Sequence, residues 1–122
     1  MPNKIEIVQA MEAAAFAGDW EKFKSFFADD VYFRVGNVAE VRGPQAAADY
    51  MSEMLDSRLT VNDLQVRAGW ETEDTVVLEM NMQGLRHRDH RNVAFPCLDV
   101  YHFDGDKIND WRVYAIEPTN VV

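Results

Sequence analysis

Cysteine is nearly absent from this sequence. With Cys97 alone among 122 residues, no intrachain disulfide can form, which suits a reducing compartment. The four prolines and six glycines are scattered, so no linker or low-complexity tract divides the chain, and a single domain over residues 1–122 is expected. No apolar run approaches the ~18 residues of a membrane span. The start, Met1-Pro2-Asn3-Lys4-Ile5-Glu6, lacks the apolar segment of a secretory leader. The expectation is a cytoplasmic protein with no membrane partner. Positive charge is scarce: 12 Lys and Arg against 21 Asp and Glu give a net charge of −9. Such a surface repels phosphate backbones, which argues against nucleic acid as a partner. Gly-x-Ser-x-Gly, Gly-x-Gly-x-x-Gly and P-loop patterns are all missing, so neither a nucleophile elbow nor a nucleotide cofactor is expected.

What remains is ordinary globular material, 48% hydrophobic and 27% charged. From Lys4 to Ala17 the residues Ile7, Met11, Ala14 and Ala15 recur at helical spacing, flanked by Ile5, Val8 and Phe16. Gly18 stops this helix, and Asp19 is placed to cap a short second one carrying Phe23, Phe26 and Phe27. Ala28-Asp29-Asp30 punctuates. Val31–Val35 alternates as a strand, Gly36-Asn37 turns, and Glu40–Arg42 returns. Gly43-Pro44 opens a third helix, to about Asp56, with Ala47, Tyr50, Met51 and Met54 as its apolar stripe. Strands follow near Leu59–Glu71, Thr75–Gly84, Asn92–Phe103 and Lys107–Ile116, with Arg86–Arg91 as a charged hairpin loop. The order α-α-β-β-α-β-β-β-β predicts an α+β fold, with helices on one face of an antiparallel sheet.

Several of these segments carry a resemblance. Ala17-Gly18-Asp19, Phe27-Ala28-Asp29-Asp30-Val31, Val41-Arg42-Gly43-Pro44 and Phe103-Asp104-Gly105-Asp106-Lys107-Ile108 with Trp111-Arg112 resemble the SnoaL-like families of the nuclear transport factor 2-like superfamily. Relatives there include polyketide cyclases, ketosteroid isomerases and limonene-epoxide hydrolases. The resemblance implies a curved sheet and three helices around a conical apolar pocket. It also implies a hydrophobic ligand such as a polyketide, terpenoid or steroid-like compound, and frequent homodimers.

The resemblance also locates positions. The isomerases' tyrosine on the first helix falls at Met11, their general base at Val35 and their protonated aspartate at Asp99, so one of three matches. The hydrolases' water-holding pair falls at Phe33 and Val35, their late aspartate at Val113 and their Arg-x-Asp at Asn81-Met82-Gln83, so none matches.

Asp99 is therefore the catalytic candidate. It interrupts the apolar run Ala94–Tyr101 and shares a strand face with Cys97, Tyr101 and Phe103. A carboxyl group in an apolar cavity holds its proton to higher pH and can serve as acid or base. Phe33, Tyr50, Met51, Met54, Tyr101 and Trp111 are candidate pocket walls, with Met11, Val35, Cys97 and Val113 beside them. Alternation turns Met80 and Met82 inward, whereas the hydrolase alignment turns Asn81 inward, so Met80 and Asn81 both stand as ligand-binding candidates. His87 and His90 have a metal-like spacing, but Arg86, Arg88 and Arg91 would repel a cation, so no metal is expected. Cys97 reads as a small core residue. Tyr32, Leu98, Val100 and Tyr114 fall on the opposite sheet face, where an apolar patch would suit a homodimer.

Overall fold

The computed structural model describes residues 3–115. Asn3 caps helix α1 (Lys4–Phe16) by accepting the Glu6 N–H at 2.8 Å. Gly18, with φ at 72°, turns the chain, and Asp19 caps α2 (Trp20–Lys24) by accepting from the Lys22 N–H. Strand β1 (Phe27–Val35) begins at Phe27, so the expected break at Ala28-Asp29-Asp30 is instead extended strand. Next come β2 (Ala39–Arg42) and α3 (Pro44–Ser57), which starts after Gly43 at φ 92°. Four long strands complete the chain: β3 (Leu59–Glu71), β4 (Thr75–Arg86), β5 (Arg91–Asp104) and β6 (Lys107–Ala115). Ile116, expected in the last strand, lies outside the described residues.

The six strands form one sheet in the order β2-β1-β6-β5-β4-β3. The expected antiparallel sheet needs one correction: β1 and β6 run parallel, so the sheet is mixed. The other neighbours are hairpin partners and are antiparallel. β1 and β6 are separated by α3 and four strands. Their relative direction is fixed by the path of the whole chain, which local alternation does not encode. The Arg86–Arg91 loop is a four-residue turn, tightened by the Arg86–Asp89 ion pair and by His90 at φ 54°.

Register across the sheet stacks inward-facing residues in rows. Phe33, Trp111, Tyr101 and Val76 form one row, and Val35, Val113, Asp99 and Leu78 form the next. Ala115, Cys97 and Met80 follow. Trp111 is the centre of the aromatic core, with its ring 4.2 Å from Phe33, 5.5 Å from Tyr101 and 6.0 Å from Phe27. Helix α1 packs Val8, Met11, Ala14 and Ala15 into this core. Its stripe is thus rotated from the expected one: Val8 is buried, Ile7 only partly, and Phe16 is 46% exposed. The rotation brings residue 12 onto the inner face.

Candidate active site

A cavity of about 80 Å³ lies between the sheet and helices α1 and α3. Ten of the residues singled out in the sequence line it: Met11 from α1, Phe33 and Val35 from β1, Met51 and Met54 from α3, Met80 from β4, Cys97 and Asp99 from β5, and Trp111 and Val113 from β6. Three do not. Asn81 pairs with Pro96 and Gln65 on the outward face, because strand alternation commits Met80 and Met82 inward. Tyr50 stands edge-on to Phe33, outside the lining, with its hydroxyl buried and unpartnered. Tyr101 is fully buried beneath the cavity and reaches it only through a hydrogen bond.

Five of the chain's six methionines (Met11, Met51, Met54, Met80 and Met82) line the walls. Unbranched thioether side chains of this kind repack readily around ligands of different shape. Ala15, Leu59 and Leu64 separate the cavity from an outer groove of about 530 Å³ between the end of α1, the end of α3 and the start of β3.

The polar centre is Asp99, 5% exposed. Its Oδ1 accepts the Cys97 S–H at 3.0 Å. Its Oδ2 accepts the Tyr101 O–H at 3.0 Å and the Trp111 Nε1–H at 3.1 Å. No arginine or lysine is among these partners. Burial pushes the carboxyl above the usual carboxylate range, while the three donors oppose that shift by stabilising the anion. Cys97 is more than a small core residue, since its thiol is a donor to this network. Burial and the neighbouring Asp99 charge push that thiol far up, so it stays protonated and is no nucleophile.

The second carboxyl group, Glu12, was not anticipated. It follows Met11 by one residue, lines the cavity, and has Oε1 buried without a hydrogen-bond partner. Burial first, and the negative charge of Asp99 second, raise it to about 8, against a smaller opposing effect of the Tyr101 hydroxyl. Burial raises both carboxyl groups, but Asp99 has three donors that oppose the shift and Glu12 Oε1 has none, so Glu12 is the group that keeps its proton at neutral pH. The signal was in the sequence: Glu12 is the sole charged residue in Ala10–Ala17, one turn after Val8 and one turn before Ala15.

His87 and His90 stand away from this centre. His87 Nε2 lies 2.7 Å from Thr60 Oγ1, and no cluster of three or more potential metal ligands occurs among the described residues. His102 sits on the opposite face of β5 from Asp99, beside Thr75. No helix of the described residues is long and apolar enough to cross a membrane.

Comparison with known proteins places this geometry. Among solved structures, an NTF2-like protein from Burkholderia xenovorans superposes with a TM-score of 0.82 at 14% identity, covering 96% of this chain and 92% of its own. An LEH-like epoxide hydrolase of M. tuberculosis gives 0.76 at 18% identity over 93% and 82%. A protein with a ketosteroid isomerase-like fold from Catenulispora acidiphila, solved in complex with trimethylamine, gives 0.78 at 20% identity over 89% and 84%. At such identities the likeness concerns the fold. No curated protein matches the sequence. The model of the SnoaL-like domain matches residues 8–111, most of the chain and every residue lining the cavity except Val113 and Ala115, and the protein belongs to the SnoaL-like family.

Proposed function

We propose that this protein binds a small hydrophobic molecule and moves a proton on it without a cofactor, with Glu12 and Asp99 as the reactive pair. One observation carries the reading: two carboxyl groups, from α1 and β5, line one otherwise apolar cavity, where burial raises both above the ordinary carboxylate range and Glu12 to about 8. An acid that keeps its proton near pH 7 can protonate a carbonyl or hydroxyl oxygen. Once deprotonated, it is basic enough to recover a proton from an adjacent carbon. Burial, and after it the nearby Asp99 carboxyl, favours the proton on Glu12. Isomerisation, cyclisation and dehydration all reduce to such steps.

The substrate class is a polyketide, terpenoid or steroid-like compound, with a restriction on how it sits. Pockets for whole ligands of that size are roughly 300–1,000 Å³, well above the present cavity. The reactive end would occupy the cavity while the rest of the skeleton extends past Ala15, Leu59 and Leu64 into the outer groove. Yielding methionine walls support that arrangement.

A second reading, a non-catalytic binding module, is favoured by the apolar Phe33, Val35 and Val113 at positions where the resemblance places catalytic residues. Proton exchange separates the two. Cyclic ketones incubated with the protein in D2O should exchange their α-hydrogens faster than in buffer, and Glu12→Gln should abolish the gain. Ketone binding without exchange leaves the binding module, and absence of binding removes both readings. Homodimerisation through the outer sheet face is also proposed, because Tyr32, Leu98 and Val100 are only half-buried there and Tyr114 is 49% exposed.

A further inference from the structure

Charge in the cavity is one-sided. Among the described lining residues there is no Lys, Arg or His. The titratable groups that face it are Glu12 from α1 and Cys97 and Asp99 from β5, with Tyr101 behind Asp99. The remaining elements, β1, β3, β4, β6 and α3, present only apolar side chains and the Trp111 ring.

The two carboxyl groups differ in what they still need. Asp99 has its donors supplied by Cys97, Tyr101 and Trp111. Glu12 Oε1 has none and is shut off from solvent. A buried acceptor without a donor costs free energy that a ligand can recover. A ketone can accept the Glu12 O–H but brings no donor for Oε1. A carboxylate or phosphate would meet two acidic side chains with no cation to offset its charge. A protonated amine brings both an N–H donor and a positive charge.

Building on the proton-transfer reading, we infer that the cavity selects a small hydrophobic cation, a secondary or tertiary ammonium group whose N–H donates to Glu12 Oε1. The exchange balances. The Glu12 O–H bond breaks and its proton leaves to solvent, while the ammonium keeps its own proton. The result is an ammonium–carboxylate pair beside Asp99, and the net charge of the cavity is the same before and after. No other bond is made or broken. With such a ligand Glu12 enters the reaction as a base instead of an acid.

The test compares three ring compounds of similar size: N-methylpyrrolidine as the amine, cyclopentanone as the neutral acceptor and cyclopentanecarboxylate as the anion. Affinity is read by calorimetry and by shifts of the methionine methyl resonances between pH 6 and 8. The amine should bind at least about tenfold tighter than the ketone at pH 7.5, and the anion weakest of all. Releasing one proton per ligand makes the amine's affinity rise by close to tenfold per pH unit below the Glu12 midpoint, and Glu12→Gln should flatten that slope. Ketone binding as tight as amine binding overturns the inference and leaves the proton-transfer reading standing. An amine affinity independent of pH in the unaltered protein overturns it too. If none of the three shifts the methionine methyls, both fall.

Discussion

Replacing Glu12 with glutamine should stabilise the protein by an amount that grows with pH. Glu12 titrates near 8 in the folded protein against an ordinary value of 4.5. Between those pH values the unfolded chain has lost this proton and the folded chain has kept it. The folded state therefore loses stability as pH rises, at about 1.4 kcal/mol per unit. The penalty is absent below pH 4.5, reaches about 3 kcal/mol by pH 7 and levels off near 8. Glutamine resembles the protonated acid in shape and never ionises, so the variant escapes the penalty. Any fixed cost of seating the amide shifts the comparison equally at every pH, so the slope is the decisive quantity. Urea unfolding of both proteins at half-unit steps from pH 4 to 9 measures it. For a chain of this length the difference corresponds to a melting temperature about 10 °C higher for the variant at neutral pH. A stability difference that is flat with pH, or one that levels off by pH 5.5, would mean that Glu12 is ionised at neutral pH. Glu12 would then be no acid at neutral pH.

Asp99→Asn should preserve or raise the melting temperature at pH 7.5. The amide oxygen can accept from Tyr101 and Trp111, and the NH2 can face Cys97 Sγ. Asp99→Ala instead strands three buried donors over a void and should cost about 3 kcal/mol by urea midpoint; equal stability of the two variants would contradict the network. Gly84→Ala should be severely destabilising, by more than about 2 kcal/mol, since a Cβ there would sit 2.5 Å from the Thr60 carbonyl oxygen and 2.9 Å from Leu59 Cδ1. An unchanged melting point would refute that packing. Light scattering at micromolar concentration should give twice the 14.0 kDa chain mass, and a monomer mass would refute the homodimer. EDTA should leave the melting temperature unchanged, whereas a fall restored by zinc would put a metal at His87 and His90.

Asp99 was legible because one acid interrupts an apolar strand, and period-two alternation alone assigns it a face with Cys97 and Tyr101. The same rule assigns Met80 and Met82 inward, and the structure follows it against the alignment that favoured Asn81. Glu12 was hidden by a rotation of about one residue. Reading α1 from Ile7 and Met11 places Glu12 on the flank, whereas reading it from Val8 and Ala15 places it inside. In an alanine-rich helix the small side chains leave that choice to tertiary packing. Trp111 shows the other kind of loss. Its partners Phe33 and Tyr101 come from β1 and β5, and the β1 partnership depends on the parallel pairing that no hairpin signal announces.

The site's chemistry is lost to sequence reading for the same reason. Neither carboxyl group is unusual alone: an aspartate with three donors tends to ionise, and a helical glutamate at the cavity edge tends toward water. Placed 87 positions apart in the chain and together in one apolar space, both are raised by burial, and Asp99 raises Glu12 further. Removing the Asp99 charge should therefore lower the Glu12 midpoint while leaving it above 4.5, because burial, the larger cause, remains. Carboxyl NMR titration of Asp99→Asn would show this directly. A Glu12 midpoint unchanged by that substitution would mean the two groups do not interact, and the reading of Glu12 and Asp99 as a reactive pair would be wrong.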